Sequence, residues 1–281
     1  MIISLPNRVA TREKKYPWVL TSAMRLKQAA RVRIRYISLF SRGLIPFSRI
    51  WYGLLPNFLR PRNITTEFFG KPFVVPYGEL NIFLAIEAAV VFSNTYRIEN
   101  IKDGDVIVDA GANMGVFAIF CAVKFPHSMI YAYEPTPSTF EVLKENAKFY
   151  PNISCTMAAL GDRDGEASLV VVPGNGAMSS VGEGGIPIKI WKIDSLFLPR
   201  VDFLKIHAEG YEAEILQGAR KTVQDHLPVI SMAAYHRPKD KEELPALLNS
   251  IAPYDCELYY DKEEGFPHLL SRRAALVAQR Y

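Results

Sequence analysis

The sequence VIVDAGANMGVF, residues 106–117, joins a run of β-branched residues to a glycine-containing turn and then to a second apolar run. This order predicts a buried strand, a tight turn and the start of a helix. Asp109 ends the predicted strand, and Gly111, Asn113 and Gly115 form the turn. Because ligands of parallel sheets bind beyond the carboxyl ends of the strands, we expect this turn to hold a ligand.

The residues of this turn favour one kind of ligand over another. The spacing is G-x-N-x-G rather than the G-x-G-x-x-G of dinucleotide sites, and a carboxylate at Asp109 would repel a pyrophosphate. S-adenosylmethionine (SAM) carries an ammonium and a sulfonium group, which suit that carboxylate. Glu134 ends the next predicted strand, where it can accept hydrogen bonds from both ribose hydroxyls, and Asp162 follows the third strand, near the expected adenine. The pattern therefore predicts a SAM site.

From residue 105 onward, predicted strands alternate with predicted helices. Such alternation predicts right-handed βαβ units and an α/β fold with a doubly wound, mostly parallel sheet. Two further strands, at residues 256–261 and 274–281, are expected to form an antiparallel edge. The other predicted strands are residues 105–109, 129–133, 153–160, 165–172, 187–193, 201–207 and 228–235. The predicted helices are residues 116–124, 138–149, 211–224 and 240–251.

The charge of the chain is concentrated at its start. Residues 1–62 hold 13 lysines and arginines and a single acid, a balance of +12, whereas the remaining residues carry −8. Apolar residues at helical spacing over residues 18–42, with bases mostly opposite, predict a basic, amphipathic helical arm. No uncharged run reaches the ~18 residues of a spanning helix, so we expect the arm to lie on an anionic membrane surface. Binding of RNA phosphates and packing on the acidic body remain open alternatives.

These patterns divide the chain into three sections and favour one compartment. The charges that recur from Arg8 onward exclude a cleavable signal pattern, and the three dispersed cysteines follow no metal or redox spacing. We therefore expect a cytoplasmic protein that is peripheral at the membrane. The predicted sections are the basic arm (1–62), a hairpin and helix that lead into the core (63–100), and the α/β domain with the SAM site (101–281).

Five segments of the chain carry a further pattern, namely VIVDAGANMGVFAI, YAYEPTPSTFEVLKENAKFY, AALGDRDGEASLVV, IWKIDSL and VDFLKIHAEGYEAEILQGA. They resemble consecutive motifs of the FkbM family of SAM-dependent methyltransferases. The similarity falls within residues 75–235 and is strongest in the first and the last segment. The resemblance implies the class I methyltransferase (Rossmann-like) fold and transfer of a methyl group, in the best-known members to a hydroxyl oxygen.

The resemblance also assigns residues to the two sides of the site. On the cofactor side it places Asp109, Gly111, Asn113 and Glu134. At the rim of the active site it places Lys205, Glu209 and Glu212. The chain departs from the family pattern at two acidic positions, because it has KIHAEG instead of K-I-D-x-E-G, with His207, and has His236 at the end of the fifth strand.

These two histidines bear on the chemistry of the acceptor. A hydroxyl acceptor must lose a proton, and a positioned base contributes roughly 10²–10⁴-fold to such a step. His207 is our candidate base because imidazole titrates near neutral pH, with Glu209 and His236 as further candidates. Lys205 is expected to pair with a carboxylate. We expect no metal, since histidines at candidate ligand positions disfavour Mg²⁺, which prefers oxygen ligands.

The sequence thus favours an O-methyltransferase that acts on a hydroxyl of a glycan or lipid-linked glycan at a membrane surface. An RNA methyltransferase whose arm binds phosphates is the second hypothesis, although no N-P-P-Y-type motif for base amino groups is present. The third hypothesis is a SAM-binding interaction protein without catalytic activity, because two family acids are replaced by histidines.

Overall fold

The structure is a computed structural model that describes residues 63–76, 79–171, 179–260 and 265–274. The predicted arm at residues 1–62 lies outside the described residues, as does nearly all of the strand predicted at residues 274–281. The division of the chain into three sections therefore stays a prediction.

The described residues form strands and helices in the alternating order that the sequence predicts. The strands are β1 (Asn63–Phe68), β2 (Lys71–Pro76), β3 (Val106–Ala110), β4 (Met129–Tyr133), β5 (Ile153–Thr156), β6 (Ala159–Leu160), β7 (Gly165–Val170), β8 (Ser180–Val181), β9 (Ile186–Trp191), β10 (Phe203–Ile206), β11 (Val229–Ala233), β12 (Tyr254–Tyr260) and β13 (Pro267–Arg273). The α-helices are α1 (Leu80–Glu87), α2 (Val116–Lys124), α3 (Pro137–Ala147), α4 (Glu212–Gln217), α5 (Arg220–His226) and α6 (Asp240–Ile251).

Seven strands form a central sheet in the order β12-β13-β11-β10-β3-β4-β5. The five strands from β11 to β5 are parallel, whereas β13 runs antiparallel to both β11 and β12. The prediction of a doubly wound parallel sheet with an antiparallel edge is therefore confirmed. The chain builds β3, β4 and β5 outward in one direction and then returns to β10 on the other side of β3. Ligand crevices form where the strand order reverses in this way, here between β3 and β10.

Two apolar clusters cover the two faces of this sheet. One contains residues of the β1–β2 hairpin, α1, α2 and α3, and the other contains residues of α4, α5 and α6. The predicted hairpin is present and turns at Phe69–Gly70, and α1 continues into a π-helical turn at Ala88–Phe92. Helices on both sides bury the central strands on both faces, which is why β10 has four consecutive buried residues instead of an alternating pattern.

Two predicted elements differ from the structure, and one strand of the central sheet was not predicted. The strand predicted at residues 153–160 is split, because β5 pairs with β4 in the central sheet whereas β6 pairs with β9 in a second sheet of order β6-β9-β7-β8. The helix predicted at residues 211–224 is interrupted near Gly218, where an added Cβ would lie 1.8 Å from the carbonyl oxygen of Gly161. Only a glycine allows this close approach of two backbones.

The strand that was not predicted is β13, whereas the strand predicted at residues 274–281 lies almost wholly outside the described residues. The observed strand β13 contains five consecutive buried residues, so it lacks the alternation of apolar and polar residues that identifies a half-buried strand. Tertiary pairing between β11 and β12, rather than local pattern, defines it. In the part of the chain that the structure describes, no helix combines the length and the hydropathy that crossing a bilayer requires.

Candidate active site

A cavity of about 400 Å³ lies at the carboxyl ends of β3 and β10, where the strand order reverses. Its size is within the ~300–1,000 Å³ typical of ligand sites. Seven of the eleven residues that the sequence singled out line this cavity, namely Gly111, Asn113, Glu134, Lys205, His207, Glu209 and His236. The other four, Asp109, Gly115, Asp162 and Glu212, are not among its lining residues.

The turn after β3 is held in shape by its neighbours in the sheet. The backbone N–H groups of Gly111 and Ala112 both donate to the carbonyl oxygen of Tyr133, at 3.1 and 2.9 Å. Gly111 has a φ of +80°, and a Cβ added there would lie 2.0 Å from the carbonyl oxygen of His207. A glycine is therefore required by backbone conformation and by close packing against the chain that follows β10.

Glu134 reaches the cavity from the end of β4 and is held by backbone donors. The N–H of Asn113 donates to Oε2 and the N–H of Thr136 donates to Oε1, each at 2.9 Å. Burial raises the pKa of Glu134 to about 7, although these hydrogen bonds oppose the shift. Because each carboxylate oxygen has further acceptor capacity, the side chain can still bind ligand hydroxyls.

Asp109 lies behind the cavity wall instead of in it. Its carboxylate is fully buried, and Lys205 Nζ lies 2.8 Å from its Oδ1. The same ammonium group donates to the carbonyl oxygen of Gly111 at 2.6 Å, so Lys205 connects β10 to the turn after β3. The expectation that Lys205 pairs with a carboxylate is confirmed. The positive partner of Asp109 in this structure is thus Lys205, and direct contact of Asp109 with a ligand stays a prediction.

Gly115 and Asp162 lie at the edges of the site. Gly115 precedes α2 with a φ of +96°, and a Cβ there would lie 2.8 Å from the side chain of Leu143. Its contact with the cofactor stays a prediction. Asp162 is partly exposed and forms an ion pair with Arg163 at 3.0 Å. The hydroxyl of Tyr211, a residue of the cavity wall, lies 3.5 Å from the same carboxylate. An adenine contact by Asp162 stays a prediction.

His207, Glu209 and His236, which follow β10 and β11, form a compact polar cluster. His207 Nε2 lies 3.4 Å from Glu209 Oε1, and His236 Nε2 lies 3.7 Å from the same oxygen. Glu209 follows β10 with a φ of +51°, a left-handed conformation that costs about 1 kcal/mol or more for a non-glycine residue. The turn thus projects the Glu209 carboxylate between the two imidazoles.

Each imidazole of this cluster is held at its other nitrogen. His207 Nδ1 is 2.7 Å from the Tyr96 hydroxyl, and His236 Nδ1 is 2.8 Å from Glu212 Oε1. The Tyr235 hydroxyl lies 3.2 Å from His207 Nε2. Tyr96 and Tyr235 were missed in the sequence, because Tyr96 precedes the first core strand and tyrosine at either position fits no motif. Only the tertiary contact identifies them.

The two histidines differ in their protonation. Burial lowers the pKa of His207, although its hydrogen bond with Glu209 opposes this shift, so its imidazole is neutral at pH 7. Burial also disfavours charge on His236, but the neighbouring Glu212 carboxylate outweighs burial and raises the pKa of His236 to about 9. Burial likewise disfavours charge on Glu212, but pairing with His236 outweighs it and lowers the pKa of Glu212 to about 2. His207 is therefore the imidazole of this pair that can accept a proton.

Comparison with known proteins agrees with these observations. Residues 109–267 match the family described as "Methyltransferase FkbM domain", which confirms the resemblance seen in the sequence. The hexuronic acid methyltransferase AglP of Haloferax volcanii is 30% identical over 155 residues, which are 52% of this chain and 64% of that protein. The 31-O-demethyl-FK506 methyltransferase FkbM of Streptomyces tacrolimicus is 40% identical over 47 residues, which are 17% of this chain and 18% of that protein.

A solved structure supports the fold. The crystal structure of Methyltransferase FkbM from Methylobacillus flagellatus KT is similar to this chain with a TM-score of 0.50 and 21% identity. The similarity covers 69% of this chain and 53% of that one, and it shows the class I methyltransferase fold. The chain spans less than two thirds of the length of each of the two relatives named above.

Proposed function

The chain belongs to the FkbM methyltransferase family, and we propose that it transfers a methyl group from SAM to a hydroxyl oxygen of a glycan or lipid-linked glycan at a membrane surface. The observation that carries this proposal is one cavity lined by two chemically different sets of groups. The first set comprises backbone and carboxylate groups of the turn after β3 and the end of β4, and the second is the His207–Glu209–His236 cluster.

The first set of groups fits SAM in its chemistry. Gly111 and Asn113 of the turn after β3 both line the cavity. The Glu134 carboxylate is buried, faces the cavity and retains acceptor capacity for the two ribose hydroxyls. SAM supplies a sulfonium-activated methyl group when it is bound there. The protein contributes alignment, which can correspond to an effective molarity of ~10⁵ M or more.

The second set of groups suits an acceptor that must lose a proton. His207 is neutral at pH 7 and its Nε2 is oriented toward the cluster. It can accept the proton at Nε2 only as the tautomer in which Nδ1 carries hydrogen and donates to the Tyr96 hydroxyl oxygen. Tyr96 is thus a positioning residue. Glu209 then stabilises the imidazolium at 3.4 Å, which makes proton transfer from a hydroxyl easier.

The proposed acceptor is a glycan for two reasons. Glycans carry many hydroxyl groups, and one relative is named for methylation of a sugar acid. The Haloferax volcanii protein is named for methylation of a hexuronic acid, and the Streptomyces tacrolimicus protein for methylation at an oxygen. The location at a membrane surface rests on the sequence alone, since residues 1–62 combine a charge of +12 with large apolar residues. Each base near an anionic leaflet contributes about 1 kcal/mol to membrane binding, and burial of apolar side chains adds to this contribution.

The test is methyl transfer from radiolabelled SAM by the full-length chain. The acceptors offered are hexuronic acid glycosides, a lipid-linked glycan fraction and total RNA, each in the presence of anionic vesicles. Label in the glycan fractions that depends on His207 supports the proposal. Label in RNA alone would favour the second hypothesis, and SAM binding with no transfer to any acceptor would favour an interaction protein.

A further inference from the structure

The cluster of His207, Glu209 and His236 has the composition and spacing of a metal site. One ligating atom from each residue, two imidazole nitrogens and a carboxylate oxygen, lies within 4.8 Å of the other two. The two distances to Glu209 Oε1 are 3.4 and 3.7 Å. Ligand atoms placed 2.0–2.1 Å from a tetrahedral zinc ion lie about 3.4 Å apart, so small side-chain movements would complete the geometry. We propose that His207, Glu209 and His236 bind a divalent transition-metal ion such as Zn²⁺, and that the ion binds the acceptor hydroxyl.

The far nitrogen of each ring supports this assignment. Metal-bound histidines almost always use their second nitrogen to bind a carboxylate, a carbonyl or water, which fixes the orientation of the ring. Here Glu212 Oε1 lies 2.8 Å from His236 Nδ1, and the Tyr96 hydroxyl lies 2.7 Å from His207 Nδ1. Both rings are therefore oriented with Nε2 toward Glu209.

His236 provides an independent observation. Its side chain is 6% exposed, yet its Nε2 has no hydrogen-bond partner among the residues that the structure describes. Polar atoms that are buried to this degree nearly always have a partner. This nitrogen points toward the Glu209 carboxylate at 3.7 Å, beyond hydrogen-bonding distance, and a bound ion would satisfy both groups.

The ligand types select the kind of ion. Mg²⁺ prefers six oxygen ligands, so the two histidines disfavour it, as the sequence already indicated. The same two histidines favour Zn²⁺, Co²⁺ or Fe²⁺, for which two imidazoles and one carboxylate are a common ligand set. All three residues line the cavity, so an ion there keeps an open position toward the acceptor.

The catalytic consequence rests on the proposed function, whereas ion binding does not. An ion would lower the pKa of the acceptor hydroxyl and thereby replace His207 as the means of removing its proton. The proton passes to solvent. The bond between the acceptor oxygen and the methyl carbon then forms while the carbon–sulfur bond of SAM breaks. The electron pair of the broken bond stays on sulfur.

Direct metal titration tests the proposal. The full chain, freed of any affinity tag and dialysed against a chelator, is titrated with Co²⁺ while its visible absorption is recorded, and Zn²⁺ is then added as competitor. We expect one equivalent of Co²⁺ with a four- or five-coordinate spectrum that Zn²⁺ abolishes. The variants Glu209→Gln and His236→Ala should each weaken binding by about 100-fold or more, and Glu212→Gln by about 10–100-fold. His127→Ala is the matched control, because this exposed histidine pairs only with Asp103 among the described groups.

The outcomes separate this proposal from the proposed function. Absence of stoichiometric binding by the wild-type chain, or binding that survives Glu209→Gln and is lost in His127→Ala, overturns the metal site. Thermal unfolding of each variant identifies one that fails to fold, and Glu209→Gln, at a partly exposed side chain, then decides the result. SAM binding is measured by calorimetry on the same chelated samples. Metal binding without SAM binding would count against the proposed function alone, and SAM binding without metal binding against the metal site alone.

Discussion

Lys205 and Asp109 are paired in register on β10 and β3, and the Lys205 ammonium lies 2.8 Å from the Asp109 carboxylate in a fully buried environment. The same ammonium binds the carbonyl oxygen of Gly111, so one side chain connects the two strands whose carboxyl ends form the cavity. Two residues that the sequence assigned to opposite sides of the site therefore form a single ion pair beneath it.

Replacement of Lys205 by methionine should destabilise the fold strongly. It leaves the Asp109 carboxylate buried without its cation, and loss of one partner of a buried pair costs about 3–5 kcal/mol. The double replacement Lys205→Met with Asp109→Asn should cost less than the sum of the single changes. Urea unfolding followed by circular dichroism measures both. Lys189→Met is the matched control, because its pair with Glu166 is exposed and contributes about 0–1 kcal/mol. Equal losses for Lys205→Met and Lys189→Met would contradict the prediction.

Replacement of Gly111 by alanine should be far more damaging than the same change at Gly184. The two residues have nearly the same φ, +80° and +79°. Replacement by alanine therefore carries the same conformational cost of about 1 kcal/mol at each position. Only at Gly111 would the new Cβ meet backbone, 2.0 Å from the carbonyl oxygen of His207, whereas Gly184 has no atom within 4 Å. Thermal unfolding and SAM calorimetry should show a large loss for Gly111→Ala and a small one for Gly184→Ala. Similar melting temperatures for the two variants would rule out this packing argument.

The affinity for SAM should depend on pH through Glu134. Its pKa is raised to about 7 by burial, and only the ionised form accepts hydrogen bonds from both ribose hydroxyls at full strength. If only that form binds, affinity should be highest near pH 8 and should fall about tenfold by pH 6, measured by calorimetry. Glu134→Gln should bind more weakly at pH 8 and lack this pH dependence. A flat wild-type profile between pH 6 and pH 8 would show that Glu134 does not bind the ribose.

The raised pKa of Glu134 also affects the stability of the protein without SAM. This stability should fall as the pH rises, whereas the affinity for SAM should increase. Because the folded-state pKa of about 7 lies above the ordinary value of 4.5, the neutral form of Glu134 is favoured in the folded state. Its contribution to the unfolding free energy is therefore fully present below pH 4.5 and is lost as the pH rises through about 7. The difference in unfolding free energy between wild type and Glu134→Gln, measured across this range, should follow that profile. A difference independent of pH would contradict it.

His207→Ala should reduce turnover without a comparable loss of SAM affinity. A base contributes roughly 10²–10⁴-fold, so turnover should fall by that factor, while the SAM dissociation constant changes by about threefold or less. Tyr96→Phe should cause a smaller loss and shift the pH profile of turnover, since it removes the hydroxyl that orients His207. His127→Ala, at an exposed histidine, serves as the control. Wild-type turnover in His207→Ala would assign the proton transfer to another group.

The basic arm should attach the chain to anionic vesicles. Full-length protein is expected to sediment with anionic liposomes and much less with neutral ones, because the bases of residues 1–62 act together with its apolar side chains. Neutralising Lys27, Arg31, Arg35 and Arg42 to glutamine should reduce sedimentation while SAM affinity stays the same. High salt should weaken attachment only in part, since apolar burial is not screened. RNA binding that falls steeply with salt, without vesicle binding, would favour the second hypothesis.

The sequence by itself determined the fold and most of the site. Alternation of strands and helices is a local property, and parallel strands place their carboxyl ends at one edge of a sheet. For that reason Gly111, Asn113, Glu134, His207 and His236 could be assigned to one cavity from their positions at predicted strand ends. The glycine turn was predicted because a left-handed φ and a close backbone approach leave a direct signal in the sequence.

Tertiary structure alone decided which of these groups are partners. The carboxylate of Asp109 is bound by Lys205, 96 residues later in the chain, and His207 is bound by Tyr96, 111 residues earlier. Contacts over such distances depend on strand order and register, for which local sequence carries no periodic signal. The same holds for β13, which is buried along five residues and is recognised only by the strands on both of its sides. The physical reason is that the pattern of apolar and polar residues reports which side of a segment faces water. The pairing of strands and side chains depends instead on which segments meet inside the fold.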